Sequence, residues 1–197
     1  MEGQLSRRDA TARLVAERGE LLVISGLGST TWDLAAAGEH PGNFYLWGAM
    51  GGAAVMGLGL ALAQPRRPVM VLTGDGEMLM GLGALATLAA VAPANLSIVV
   101  LNNQRYGETG MQASHTALGA DLVMLAKGAG FRQALAVSDD AGVADLAGRL
   151  QRCEGLLFAD VRVAADDPPR VLPERDAVVL KHRFRQALGL RSRGVPE

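Results

Sequence analysis

Short, continuous apolar runs alternate along the chain with longer stretches whose apolar residues recur at helical spacing. The runs predict strands at residues 21–25, 69–73, 96–101, 133–137 and 156–163. The stretches between them predict helices at residues 7–18, 30–37, 50–63, 78–90, 121–129 and 176–188, with one more capped by Ser138 or Asp139. Apolar strands that alternate with helices are typical of a buried parallel sheet. We therefore expect an α/β fold, with a mostly parallel sheet of about six strands and helices on both faces.

Polar residues end two of these strands. Gly74, Asp75 and Gly76 follow the strand at 69–73, and Asn102 and Asn103 follow the strand at 96–101. The 25 residues between Gly76 and Asn102 are enough for one strand–helix–strand crossover. Both polar tips should then emerge at the same edge of the sheet, where open α/β sheets bind ligands. Each tip alone is a common turn sequence, but the pair, one crossover apart, favours a binding site.

The first tip suits a phosphate group. Gly74 and Gly76 let the backbone approach a ligand closely, and the helix behind them offers free N–H groups. The carboxylate of Asp75 would repel a phosphate unless a hard cation lay between them. Mg²⁺ is commonly held by one or two carboxylates together with phosphate oxygens, and Asn102 or Asn103 can add an amide oxygen. The residues therefore predict a magnesium-assisted phosphate site.

Composition narrows the class of protein. A chain of 197 residues, 49% of them hydrophobic, predicts a single domain over residues 1–197, in which residues 164–197 form a Pro- and charge-rich tail with one helix. The net charge of −1 argues against nucleic acid as a partner. A single cysteine and a charged N-terminus favour the reducing cytoplasm over secretion. The uncharged run at 47–63 is short for a membrane span, so no membrane association is expected.

Two other phosphate-binding motifs fit poorly. The sequence Gly74-x-Gly76-x-x-Leu79 lacks the third small residue of a dinucleotide-binding loop, and Asn102 stands where an acidic residue would end the next strand. The chain contains no Gly-Lys-Ser/Thr sequence, which excludes a P-loop.

A long polar loop at residues 103–116 follows the second tip. Loops on a rigid scaffold often carry function, and Glu108 and His115 in this loop are candidates for proton transfer. The alternative is an ordered, hydrogen-bonded loop without proton chemistry, and the residues alone do not separate the two.

Over roughly residues 17–163 the chain resembles the C-terminal, diphosphate-binding domain of phosphonopyruvate and sulfopyruvate decarboxylases, within the thiamine-diphosphate-dependent decarboxylase family. The resemblance rests on FYLWGAMG at 44–51, GLGLALAQP at 57–65, GDGEMLM at 74–80 and the Asn pair at 102–103. It implies a thiamine diphosphate-binding fold, with thiamine diphosphate and Mg²⁺ as cofactors.

The resemblance also assigns residues to roles. The implied metal ligands are Asp75, Asn103 and the backbone carbonyl of Arg105. The implied diphosphate contacts are Gly28, Ser29, Gly76 and Glu77, the last through its backbone N–H, since a small hydroxyl residue is commoner there. The carbonyl of Gly48 would meet the aminopyrimidine, and Met50 would force the bent cofactor conformation. Gly74 and Tyr106, beside these positions, complete the candidate cofactor contacts.

The same resemblance implies a partner. In the family, the cofactor is activated through a glutamate on a separate pyrimidine-binding domain. That domain needs far more than the 20 residues that precede the first predicted strand. The chain is therefore expected to be a β-type subunit that works with an α-type subunit supplying the glutamate, in a dimer of heterodimers.

The expected activity is decarboxylation of a small, anionic 2-oxo acid such as sulfopyruvate or phosphonopyruvate, which makes the chain part of a carbon–carbon lyase. Arg105 and His115 are candidate contacts for the substrate's anion. Two alternatives stay open: a carboligase subunit resembling acetolactate synthases, and a non-catalytic cofactor-binding or assembly subunit.

Overall fold

A computed structural model describes residues 4–190 of the chain. The helices are α1 Arg7–Ala16, α2 Ser29–Ala36, α3 Ala53–Ala63, α4 Asp75–Met80, α5 Ala84–Val91, α6 Leu122–Ala129, α7 Asp140–Arg152 and α8 Ala177–Ala187. The strands are β1 Leu22–Ser25, β2 Asn43–Tyr45, β3 Val69–Gly74, β4 Leu96–Asn102, β5 Arg105–Tyr106, β6 Gln112–Ala113, β7 Gln133–Val137 and β8 Leu157–Arg162. A short 3₁₀ helix covers His115–Leu118.

Six of the strands form one parallel sheet in the order β2-β1-β3-β4-β8-β7. Gly74 at the end of β3 lies opposite Leu101 near the end of β4, so the two polar tips emerge side by side. The expectation of a parallel sheet with about six strands is confirmed. The sixth strand is β2, whose three residues were too few to give an apolar run in the sequence.

Hydrophobic side chains pack in two layers, one on each face of the sheet. Leu14, Leu34 and Leu146 bring α1, α2 and α7 onto one face. Leu58 and Leu88, with α6, pack against the opposite face. Nearly every residue of β1, β3 and β4 is buried, which explains their continuous apolar sequences. The expectation of helices on both faces is confirmed.

The predicted helix at 78–90 is wrong: it is two helices, α4 and α5, joined by a turn at residues 81–83. A Cβ on Gly81 would lie 2.8 Å from the Cα of Gly51, so the two backbones touch at this point. Gly51 has a φ of +88°, and α3 accordingly begins at Ala53, three residues later than predicted. The close contact of Gly51 and Gly81 therefore brings the start of α3 against the end of α4.

The tail after β8 begins with an irregular segment, residues 164–176, here called the strap. Asp176 caps α8 by accepting a hydrogen bond from the N–H of Val178 at 2.7 Å. Phe184 of α8 is buried against the sheet, whereas Val178 is 58% exposed. The predicted domain and its tail also include residues 1–3 and 191–197, which lie outside the described residues. None of the described helices combines the length and apolarity needed to span a membrane.

Candidate functional site

A cavity opens at the carboxyl edge of the sheet, between the ends of β1, β3 and β4. Most of the residues predicted from the sequence line it: Ser29, Met50, Gly74, Asp75, Gly76, Glu77, Asn103, Arg105, Tyr106 and Glu108. The predicted residues Gly28, Gly48 and His115 are not part of this lining. The lining residues come from distant parts of the sequence. Parallel pairing of the strands brings them together, because β1, β3 and β4 all end at the same edge of the sheet.

Asp75 is the first residue of α4 and only 1% exposed. The hydroxyls of Ser114 and Thr116 both donate to its Oδ2, Thr116 at 2.8 Å. The position places a carboxylate at the N-terminus of a helix, where free backbone N–H groups lie. Because both hydroxyl donors reach Oδ2, the carboxylate is held in one orientation by the far end of the loop at 103–116.

The two asparagines at the end of β4 have different surroundings. Asn102 is buried: its Nδ2 donates to Asp160 Oδ2 at 3.1 Å, and its Oδ1 accepts from the N–H of Gln104 at 3.2 Å and lies 3.0 Å from the Thr116 hydroxyl. Asn103 lines the cavity, and its Oδ1 accepts from the N–H of Arg105 at 2.9 Å. Of the two amides, that of Asn103 is therefore the one available to a ligand.

Among the described residues, the structure contains no cluster of three or more His, Cys, Asp or Glu side chains able to hold a metal. A metal at this edge would therefore combine the single carboxylate of Asp75 with neutral oxygens. An amide oxygen and a backbone carbonyl are such donors, and Mg²⁺ accepts oxygen ligands of this kind.

Tyr106 packs its ring over Gly76, where a Cβ would lie 2.6 Å from the ring's Cε1. Any larger residue at position 76 would displace the tyrosine, which accounts for the glycine. The Tyr106 hydroxyl is 2.9 Å from Nδ1 of His115, an exposed residue. His115 thus contacts the cavity through the tyrosine rather than directly.

The side chain of Glu77 points into the protein. It is 3% exposed, and its Oε2 accepts from Thr73 at 2.9 Å while Oε1 accepts from the N–H of Gly51 at 3.4 Å. Burial raises the pKa of this carboxyl above 4.5, and the hydrogen bonds oppose that rise only in part. A Cβ at Gly26 would collide with the same carboxyl. Glu77 therefore joins β3, α4 and the turns at Gly26 and Gly51.

Glu108 is held by two partners that sequence reasoning did not identify. Its Oε1 accepts from the indole Nε1 of Trp32 at 3.1 Å, and its Oε2 lies 3.5 Å from Nη2 of Arg170 in the strap. Its Cγ also covers Gly28, where a Cβ would lie only 2.8 Å away. Gly28 has a φ of +82° and precedes α2.

Other residues at the site were not predicted. Arg7 of α1 lines the cavity and is 2% exposed, with Nη1 3.3 Å from Asp33 Oδ2. Ser114, Thr116 and Asp160 support the polar tips. Their distances in sequence from the Gly-Asp-Gly tip fit no motif, so no signal in the sequence marks them as part of the site. Each reaches the site through the tertiary fold.

Residues 26–161 match the family model described as "Thiamine pyrophosphate enzyme, C-terminal TPP binding domain". The sulfopyruvate decarboxylase subunit beta of Methanothermobacter thermautotrophicus is 41% identical over 190 residues, which cover 91% of this chain and 94% of that protein. The corresponding subunit of Methanocaldococcus jannaschii is 32% identical, over 92% of this chain and 96% of its own length.

A phosphonopyruvate decarboxylase of Streptomyces hygroscopicus is 40% identical over 92% of this chain, but the match spans only 45% of that longer protein. These names confirm the predicted resemblance to sulfopyruvate and phosphonopyruvate decarboxylases. They also confirm that the chain groups with carbon–carbon lyases.

Solved structures support the fold. A 2-oxoglutarate:ferredoxin oxidoreductase from Magnetococcus marinus superposes with a TM-score of 0.66 at 20% identity, over 92% of this chain and 74% of the other. A benzoylformate decarboxylase from Polynucleobacter necessarius gives 0.67 at 18% identity, over 84% of this chain and 34% of the other. With the family match over residues 26–161 and these relatives, the chain belongs to the thiamine pyrophosphate enzyme family and carries its C-terminal TPP-binding domain.

Proposed function

We propose that the chain is the β-type subunit of a thiamine-diphosphate-dependent decarboxylase acting on a small 2-oxo acid with an anionic tail, of the sulfopyruvate or phosphonopyruvate kind. The observation that carries the proposal is the buried carboxylate of Asp75, fixed by Ser114 and Thr116 at the N-terminus of α4 beside the amide of Asn103. Relatives of nearly the same length bear the name sulfopyruvate decarboxylase subunit beta.

The residues at this edge fit Mg²⁺ and a diphosphate. We assign Mg²⁺ to Asp75, to Oδ1 of Asn103 and to the backbone carbonyl of Arg105. The diphosphate is assigned to the backbone N–H groups at the start of α4, at Gly76 and Glu77, and to Ser29 at the start of α2. Gly28 supports this assignment because its positive φ lets the chain turn into α2 without a side chain at the approach.

The other cavity residues orient the substrate and the cofactor. Thiamine diphosphate, when bound, supplies the carbon nucleophile and the electron sink needed to release CO₂ from a 2-oxo acid. Met50, 41% exposed on the cavity wall, offers an apolar surface that would hold the cofactor in a bent conformation. Glu108 lines the cavity and is the better placed of the two proton-transfer candidates, since His115 reaches it only through Tyr106.

A partner subunit is supported by an uncharged apolar surface beside the cavity. Residues 46–65 and 78–104 contain no Asp, Glu, Lys or Arg, and they include α3, the last three residues of α4, all of α5 and strand β4. Exposed apolar side chains on this surface are Met50, Val55, Leu62, Met80 and Val91, which we call the α3–α5 face. Patches of this kind mark protein interfaces. We assign the face to a pyrimidine-binding α subunit, which would also supply the activating glutamate, in a dimer of heterodimers.

The proposal is tested by co-purifying the chain with its α-type partner and measuring CO₂ release from sulfopyruvate and phosphonopyruvate. The complex should be active and the chain alone inactive. Asp75→Ala in the complex should lower the rate at least roughly 100-fold, because the metal ligand is lost. Full activity of that variant, or a full rate from the chain alone, would contradict the proposal. Added aldehyde separates decarboxylation from carboligation by the products formed.

A further inference from the structure

The strap brings one arginine against Glu108, a residue that lines the cavity. Arg170 lies 3.5 Å from Glu108, a cavity-lining residue, and its Cζ is 5.9 Å from the ring centroid of Trp32. Trp32 is 8% exposed and packs against Trp47 with ring centroids 5.5 Å apart. The guanidinium therefore rests on a rigid aromatic support, which restricts its orientation.

The strap is fixed on both sides of Arg170. Before it, the carbonyl of Pro169 accepts from Arg8 Nη2 at 2.8 Å. After it, the carbonyl of Glu174 accepts from Trp47 Nε1 at 3.1 Å, and Arg175 lies over the Trp47 ring. These contacts tie the strap to α1 and to the turn after β2. The backbone position of Arg170 is thus set by neighbouring residues of the strap, and its guanidinium is oriented by Trp32 and Glu108.

Arg170 keeps hydrogen-bonding capacity for a ligand. Its side chain is 55% exposed, and a guanidinium has five N–H donors in a planar fork, of which Glu108 faces one terminal nitrogen. Such a fork matches the oxygens of a phosphonate or sulfonate group, whose three oxygens can accept two parallel N–H donors. Arg105 lines the same cavity and adds positive charge there, whereas the cavity-lining Arg7 is paired with Asp33 and Asp166.

We infer that Arg170 forms an anion-binding position beside the cavity, which takes the oxyanion end of a small acid, with Trp32 as the support of its guanidinium. The inference rests on the proposed function only for the identity of the substrate, whose anionic tail would occupy this position. It adds the strap, a segment outside the family match, to the site.

The test uses an unreactive probe, 3-phosphonopropanoate, and propanoate as the probe without the phosphonate. Calorimetric titration of the full chain, in the presence of Mg²⁺ and thiamine diphosphate, should show that 3-phosphonopropanoate binds more tightly than propanoate. Arg170→Gln should weaken that binding roughly 10- to 100-fold and leave propanoate unchanged. Arg170→Lys should recover part of the loss, since it restores the charge without the planar fork.

Arg175→Gln is the matched control, because Arg175 belongs to the same strap and stacks on the other tryptophan. It should bind 3-phosphonopropanoate like the wild type. The inference is overturned if the wild type binds both probes alike, if Arg170→Gln binds like the wild type, or if Arg175→Gln loses as much. Failure of the proposed function looks different: the assembled complex would release no CO₂, while the Arg170-dependent binding persisted.

Discussion

The hydroxyl of Thr116 donates to Oδ2 of Asp75 at 2.8 Å across 41 residues of sequence and at the same time lies 3.0 Å from Oδ1 of Asn102. One side chain thus connects the ends of β3 and β4. The loop after β4 consequently orients the carboxylate that we assign to Mg²⁺.

Thr116→Val should therefore weaken Mg²⁺ binding while the fold is kept. Valine has a similar shape but no hydroxyl, so Asp75 loses an orienting donor, and losses of this type cost roughly 10- to 100-fold in metal affinity. The measurement is the Mg²⁺ concentration needed for half-maximal thiamine diphosphate binding. Thr87→Val, at an exposed position on α5, is the control and should leave that concentration unchanged. Equal Mg²⁺ requirements for Thr116→Val and wild type would exclude the orienting role.

Gly81→Ala should destabilise the protein by about 1–3 kcal/mol, the usual cost of forcing extra atoms into a packed contact. The new methyl group would meet the backbone of Gly51, the residue after Met50. Urea unfolding gives the stability change, and a parallel loss of thiamine diphosphate affinity is expected because Met50 is displaced.

Gly83→Ala provides the matched control two residues later. A Cβ at Gly83 meets nothing within 4 Å, and its φ of −59° suits any residue. Its free energy of unfolding should change by less than about 1 kcal/mol. Comparable destabilisation by both substitutions would show that the turn, and not the Gly51–Gly81 contact, is the sensitive feature.

Asp160→Asn should stabilise the protein at neutral pH. Burial raises the pKa of Asp160 above 3.8, Asp75 adds to the rise, and Oδ1 has no hydrogen-bond partner among the described residues. The folded state therefore holds the proton more tightly than the unfolded state, and stability is lost as the pH rises from 3.8 through the raised pKa. Asparagine is neutral at every pH and can still accept the hydrogen bond from Asn102.

The gain should be about 1–2 kcal/mol at pH 7, and it should shrink as the pH falls towards 3.8. Urea unfolding of both proteins at several pH values measures it. The exposed Asp167 offers the control: Asp167→Asn should show no such pH-dependent difference. A gain that grew towards acid pH would mean that the carboxylate is stabilising in the folded state.

The parts of the fold that followed from sequence are those set by local pattern. β3 and β4 are continuous apolar runs because both of their faces are buried, and the polar residues after them mark where they leave the sheet. The pattern placed Asp75 and the pair Asn102–Asn103 at one edge, since parallel strands bring their carboxyl ends together there. Arg105 as a metal ligand came only from the family resemblance.

What did not follow from sequence depends on contacts between distant segments. The break between α4 and α5 falls at Gly81-Leu82-Gly83, where glycine disfavours a helix, but the close backbone contact at this point is with Gly51, 30 residues earlier in the chain. Ser114 reaches Asp75 across 39 residues, and Arg170 reaches Glu108 only because the strap crosses back over α2. A pattern of local spacing contains no record of such pairings.

Leu62→Glu should disrupt association with the α-type partner. Leu62 is 56% exposed on the uncharged α3–α5 face, so a carboxylate there would be buried without a counter-charge in the complex. Val178→Glu on α8 is the control, because Val178 is equally exposed, at 58%, but belongs to the charged tail. We expect the isolated Leu62→Glu chain to keep its thermal stability. Mixed with the partner, it should elute alone in size-exclusion chromatography, and the mixture should lack decarboxylase activity. Val178→Glu should match the wild type in stability, in partner binding and in activity.

An active complex formed by Leu62→Glu would show that the partner binds elsewhere. If the wild-type chain self-associates and Leu62→Glu does not, the face belongs to a second copy of the chain instead.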